Sequence, residues 1–153
     1  MLVGHICQYV YFRRIFPGMG RTAKTFDLAR MFAAFSDRTR LRLLNLMNGR
    51  EVCVCYFVEI LGQSQPKISR HLAYLRNAGM VKARREGKWM HYSLETPADA
   101  GAAAILRTTL ESLKADRGMQ SDLVRLGRAC CEPQRLVALQ GAPVPAKLGA
   151  NAV

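Results

Sequence analysis

The chain has 153 residues at 17.1 kDa, half of them hydrophobic, which is enough to enclose one core. Lys and Arg number 23 against 11 Asp and Glu, a net charge of +12 with a pI near 10.1, and this balance points to a phosphate-bearing polymer or an anionic surface as partner. No apolar run approaches a membrane span. Five cysteines, an odd number with no secretory signal expected ahead of them, argue against a disulfide scaffold and for a reduced, cytosolic setting.

The basic excess is patterned. Residues 21–50 carry seven basic and two acidic groups, and so do residues 65–95, while the stretch between them holds Glu51 and Glu59. Two basic blocks flanking a cysteine-bearing segment suggest one charged face, against the alternative of ordinary solvated helix surfaces.

Residues 1–20 form an N-terminal extension. Its short apolar run precedes Arg13 and Arg14, the reverse of a signal peptide, and ends at Pro17-Gly18, so that Met19 is an alternative start. Phe26, Leu28, Ala29, Phe32, Ala33 and Phe35 recur at helical spacing from Thr25. Ser36 is the expected N-cap of a second helix from Asp37 to Asn48, with Leu41, Leu44 and Met47 inward and Gly49 ending it. A short helix is expected from Val54 to Leu61, stopped by Gly62. Ser64 caps a fourth, with Pro66 in its first turn and Ile68, Leu72 and Leu75 inward, closed by Gly79. Helix, tight turn, helix is a helix-turn-helix.

Met80 to Arg85 and Lys88 to Leu94, joined through Glu86-Gly87, alternate as a β-hairpin. The expected fold is therefore mainly α with a small β-hairpin, a winged helix-turn-helix. A long helix is expected from Pro97 to Arg117, its stripe of Ala103, Leu106, Leu110 and Leu113 forming a homodimer surface with the first helix; packing within the chain is the alternative. Residues 21–117 are thus read as the DNA-binding and dimerisation domain, 118–131 as a C-terminal segment with vicinal cysteines, and the Pro- and Gly-containing 132–153 as a flexible tail.

In the recognition helix, Gln65, Lys67, Ser69 and Arg70 project from the N-terminal half, which enters the major groove. Ser64, Ser69 and the helix N-terminus suit phosphate contacts. His71 is divided equally between reaching DNA and bonding locally. Arg84, Arg85 and Lys88 gather at the hairpin tip to grip backbone or minor groove, while Trp89 and His91 anchor the wing strand.

Cys53 and Cys55 stand before and inside the helix that precedes the recognition helix. On a regular helix, residues two apart point about 200° apart, so the expectation is that a soft ion held by both thiolates unwinds the first turn and thereby moves the DNA reader.

Cys53-Val54-Cys55, Ser64-Gln65-Pro66-Lys67-Ile68-Ser69-Arg70-His71-Leu72 and Gly87-Lys88-Trp89-Met90-His91-Tyr92 together resemble the ArsR/SmtB family of metalloregulatory repressors, and within it the arsenical-resistance operon repressors. The resemblance covers roughly residues 27–96. It implies a homodimeric winged helix on a palindromic double-stranded operator, no required cofactor, and release of DNA when an inducer binds: arsenic(III), or antimony(III) or methylarsenite. Two positions depart from the family pattern. Tyr56 and Phe57 follow Cys55 in place of Asp-Leu, and Val58 occupies the position of a third cysteine. Trivalent arsenic prefers three sulfurs, which leaves Cys130, Cys131 and Cys7 as candidates for the third, or else an inducer that needs two. Cys130 and Cys131, with Cys53 and Cys55, are the expected metal-binding set. Cys7 resembles the N-terminal cysteines of the family's cadmium/lead sensors. Residues 98–117 contain no His, which disfavours a long-helix zinc sensor.

The alternatives are a cadmium/lead-responsive repressor, a thiol redox regulator and a DNA-binding module without ligand. Catalysis is not expected: Cys7 and Arg13 have the Cys-x5-Arg spacing of arsenate reductases, but the five residues between them lack the glycines that let backbone N–H groups cradle an oxyanion.

Overall fold

The computed structural model describes residues 26–132, 136, 139 and 141–147. The extension 1–20, with Cys7 and Met19, lies outside them.

Helix α1 spans Leu28–Phe35, started by Asp27, whose carboxylate accepts from the Arg30 N–H at 2.9 Å. Ser36 does not cap α2 as expected. It closes α1 instead, its N–H donating to the Phe32 carbonyl and its hydroxyl to that of Ala33 at 2.7 Å. The cap of α2, Arg38–Met47, is Asp37, an equally good capping residue one position closer, which accepts from the Arg40 N–H at 2.9 Å. Leu44 and Met47 are buried, and Leu41 is half-buried.

Strand β1, Arg50–Cys53, was not expected; four residues are too few for alternation to show. Its pairing with β3 makes it a strand, with Val52 opposite Tyr92 and Cys53 opposite His91. Helix α3 follows at once, Val54–Leu61 as predicted. It ends where Gly62 takes φ 61°, ψ 34° and donates its N–H to the Val58 carbonyl, a left-handed conformation that glycine adopts without steric cost. Helix α4, Gln65–Asn77, follows Ser64 with Pro66 in its first turn, and Ile68, Leu72 and Leu75 are buried.

Strands β2, Val81–Glu86, and β3, Trp89–Leu94, pair antiparallel from Val81↔Leu94 to Glu86↔Trp89. The turn is Gly87-Lys88, one residue later than predicted. Gly87 has φ +57° and Lys88 does not share it, the pattern of a type II′ turn with glycine first.

The expected helix 97–117 is two helices. The first, α5, spans Ala100–Leu113 after the Asp99 cap; the second, α6, spans Arg117–Cys131. Asp116 causes the break by accepting from the Met119 N–H at 3.0 Å, which starts a new helix. Leu106, Leu110 and Leu113 are buried within the chain, so the stripe assigned to a partner covers this domain's own core. Helix α6 packs on α2 and α3. Arg42 holds the buried Asp122 through two bonds of 2.6 and 2.7 Å, and the Asn45 amide donates to the Met119 carbonyl at 3.0 Å.

The flexible-tail expectation for 132–153 does not hold for the described part. Leu139 and Ala142 are buried, and β4, Ala146–Lys147, pairs with β1 through Arg50↔Lys147 and Glu51↔Ala146. The sheet order is β2-β3-β1-β4. Among the described residues no helix is long and apolar enough to cross a membrane.

Candidate nucleic-acid interface and thiol site

The inner face of α4 is held by α3 and β2 and its outer face is polar. Ser64, Gln65, Lys67 and Arg70 are exposed there, and Ser69 is half-buried. The Ser64 side chain makes no capping bond. His71 turns the other way: its Nδ1 lies 3.6 Å from Asp37 Oδ1. Burial lowers its pKa, with Asp37 pulling in the opposite direction, so the imidazole sits neutral beside the α2 cap.

At the wing, Arg85 and Lys88 are exposed. Arg85 Nε donates to the Gly87 carbonyl at 3.0 Å, and the Lys88 ammonium lies 4.9 Å over the Trp89 ring. Arg84 is also exposed but is committed to two carboxylates, Glu51 at 2.6 Å and Glu86 at 2.8 Å. Its guanidinium holds the Glu51 carboxyl below the usual range. His91 is buried between the same two glutamates, at 3.8 and 3.7 Å, anchoring the wing strand beside Cys53. Sequence reasoning missed this Glu51–Arg84–Glu86–His91 cluster, because its members meet only through the register of three strands.

The thiol pair differs from expectation in one decisive respect. Cys53 ends β1 and stands as N-cap of α3 at φ −70°, ψ 145°, while Cys55 lies in the first helical turn. Because Cys53 is extended rather than helical, the two sulfurs already lie on one side of the junction, Sγ to Sγ 2.8 Å. The helix does not have to unwind to bring them together, and the expected conflict between helix and ligand does not arise. The pair shares a proton unequally. A hydrogen bond from the Cys55 thiol, aided by backbone N–H groups, holds Cys53 down to about 7 against its burial. The same bond, together with burial, pushes Cys55 well above the ordinary thiol range.

The vicinal pair ends α6. Cys130 is half-buried against the core and Cys131 is exposed. Burial pushes the Cys130 thiol up. Among the described residues no group of three or more His, Cys, Asp or Glu side chains is gathered to hold a metal; Cys53 and Cys55 form one close pair, and the vicinal Cys130 and Cys131 do not join it in a single group. Tyr56, next to Cys55 on α3, stands out in the sequence only as a departure from a family pattern. It is fully buried, and burial pushes its hydroxyl up to about 12. Its position directly after Cys55 was the available signal.

The fold agrees with comparisons against known proteins. Residues 37–83 match the family described as "Bacterial regulatory protein, arsR family". An arsenic resistance transcriptional regulator of Pseudomonas putida is 36% identical over 126 residues, 82% of this chain and 96% of that protein. The arsenical resistance operon repressor of Escherichia coli K12 is 47% identical over 77 residues, 50% of this chain and 66% of that one. Among solved structures, HlyU from Vibrio cholerae is 25% identical with a TM-score of 0.51, covering 63% of this chain and all of that one. With a helix-turn-helix, a basic wing and a relative matched over nearly its whole length, this chain belongs to the ArsR family, and it is a winged-helix DNA-binding transcriptional repressor rather than an enzyme.

Proposed function

We propose that the protein is a cytosolic homodimer that represses transcription from a palindromic operator and lets go when trivalent arsenic or antimony binds Cys53 and Cys55, with a third sulfur from the pair Cys130 and Cys131. The observation that carries this reading is the 2.8 Å approach of the Cys53 and Cys55 sulfurs at the β1–α3 junction. Thiolates select soft centres, and one member of this pair gives up its proton near neutral pH.

The junction has mechanical consequences. Cys53 belongs to the strand that pairs with the wing, and Cys55 to the helix that packs on the DNA-reading helix. An inducer spanning both fixes the angle between wing and reader. A third bond to α6 draws in the helix that follows α5 after a three-residue break. Together these bonds bias the protein toward a shape in which α4 and the wing no longer match one DNA face. Ser64, Gln65, Lys67, Ser69 and Arg70 of the reader, with Arg85 and Lys88 of the wing, form the DNA-contacting set. Arg84 joins it through its ties to Glu51 and Glu86, and His71 supports it from behind.

The test is release of operator DNA by arsenite, with X-ray absorption counting the sulfurs around bound arsenic. Cys53→Ser is expected to hold DNA at arsenite doses that release the wild type; release at the wild-type dose would overturn the assignment. Cadmium in place of arsenite, or release by peroxide alone, would move the reading to a cadmium/lead sensor or a redox regulator built on the same thiols.

A further inference from the structure

Not every cation in the first basic block is free to meet a phosphate. The Arg40 side chain is only 15% exposed, and its guanidinium is taken up inside the protein. Nε donates to the Ala34 carbonyl at 2.9 Å and Nη2 to the Ala33 carbonyl at 2.7 Å. Both carbonyls belong to the last turn of α1, where intrahelical donors run out and positive charge is favoured. The same guanidinium lies over the Tyr74 ring of α4, with Cζ 4.3 Å from the ring centroid. A planar cation can donate from its edge while its face meets a ring; an ammonium cannot do both. Two further ties run alongside. Asp37, the cap of α2, lies 3.9 Å from Arg40 Nη1 and 3.6 Å from His71 Nδ1. Arg30 of α1 donates from Nη1 to the Asn77 carbonyl at the end of α4, at 3.4 Å. His71 and Tyr74, three residues apart, share one side of α4. That side is fastened to the corner between α1 and α2, while the exposed residues of the N-terminal half stay open to DNA.

Helix α1 also carries Leu28 and Phe32, 42% and 56% exposed, the apolar side chains it offers to a second copy of the chain. We propose that Arg40 is a positioning residue for operator reading. It locks the reader helix to α1, so that the helix meeting the second copy also sets the distance and angle between the two readers. This rests on the homodimer reading given above. A palindromic operator holds its half-sites about one helical turn, or a multiple, apart. One base pair added at the centre shifts a half-site by about 3.4 Å and turns it by about 35°. Readers held rigidly to the dimer frame reject that change. Readers that swing tolerate it, and they bind the intended operator less well because they must be ordered on it.

The experiment uses the full chain without inducer. An operator duplex recovered by the wild type from random duplexes is compared with the same duplex carrying one inserted central base pair, and with an isolated half-site. Wild type should bind the inserted duplex at least about tenfold more weakly. In Arg40→Lys and in Tyr74→Leu that gap should narrow to about twofold, through lost affinity for the intended operator, with half-site affinity held within about twofold of wild type. Tyr74→Phe keeps the ring face and should behave as wild type. The double variant Arg40→Lys/Tyr74→Leu should narrow the gap no further than Arg40→Lys alone. Damage to the fold cannot imitate this pattern, because a smaller folded fraction lowers the affinity for every duplex by the same factor. An Arg40→Lys variant that keeps the wild-type gap, or that loses as much half-site affinity as operator affinity, would overturn this proposal alone. A wild type indifferent to the inserted base pair, or one that binds the operator as a monomer in sedimentation experiments, would remove the homodimer reading and this proposal with it.

Discussion

Cys53 and Cys55 are chemically the same residue made different by one hydrogen bond. The sulfur at the strand end is stabilised as thiolate by the neighbouring thiol, and the neighbour is correspondingly held protonated. In a variant that keeps only these two cysteines, ultraviolet thiolate absorbance should rise with a midpoint about pH 7. Cys55→Ala, which removes the donor, should move that midpoint up toward the ordinary thiol value of about 8.5. The sign for stability follows. Cys53 has a depressed folded-state pKa, so its contribution is fully present above the unfolded value and is lost as pH falls through about 7; denaturant midpoints measured from alkaline to mildly acidic pH should show the decline, and Cys53→Ala should flatten it. At the wing, Arg85 and Arg84 sit side by side with different duties. Arg85→Ala should lower the slope of log affinity against log salt by roughly 0.9 for each phosphate it no longer neutralises. Arg84→Ala should change the slope less, because its charge is already answered by Glu51 and Glu86, and should instead loosen the wing against β1.

Among the elements, α6 shows how one buried charge fixes a packing arrangement. Asp122 is 2% exposed and grips Arg42 with both oxygens. Replacing it with Ala leaves a half-buried guanidinium without its carboxylate, and unfolding experiments should show a loss of about 3 kcal/mol; the reciprocal Arg42→Ala should cost a similar amount. The elements that carried their own signals were legible in the sequence. Helix α4 announced itself through Pro66 and the spacing of Ile68, Leu72 and Leu75, and the hairpin through Gly87, where only the turn register was off by one. Helix α6 was hidden because the leucine stripe of α5 runs straight up to it. The break depends on Asp116, which reads as one more helix-surface charge until its side chain is seen to cap Met119. Strand β1 was illegible for a different reason: nothing local makes Arg50–Cys53 extended, and its β3 partners, Tyr92 and His91, are far away in sequence. Since the thiol geometry depends on that strand, the cysteines could be picked out from their spacing while the way they meet could not.

For the molecule as a whole, the question is what α1 and α5 leave uncovered. Phe32 and Leu28 are 56% and 42% exposed, and Phe35, Leu41, Ala104, Ile105, Thr108 and Thr109 line a shallow groove next to α5. A second copy of the chain is the proposed occupant, seated on this groove rather than on the inward leucine stripe. Ile105→Asp should yield monomers in sedimentation experiments and weaken operator binding by at least about tenfold, because a single reader engages only one half-site. The sheet has a consequence of its own. Ala146–Lys147 lies along the outer side of β1, so the strand that delivers Cys53 is flanked on both sides. Proteolytic clipping ahead of Ala142 would strip that cover and leave a row of unclaimed amides and carbonyls, open to pairing with any other extended chain. While it stays in place, this short C-terminal strand acts as a guard rail, denying other extended chains the outer edge of the sensing strand.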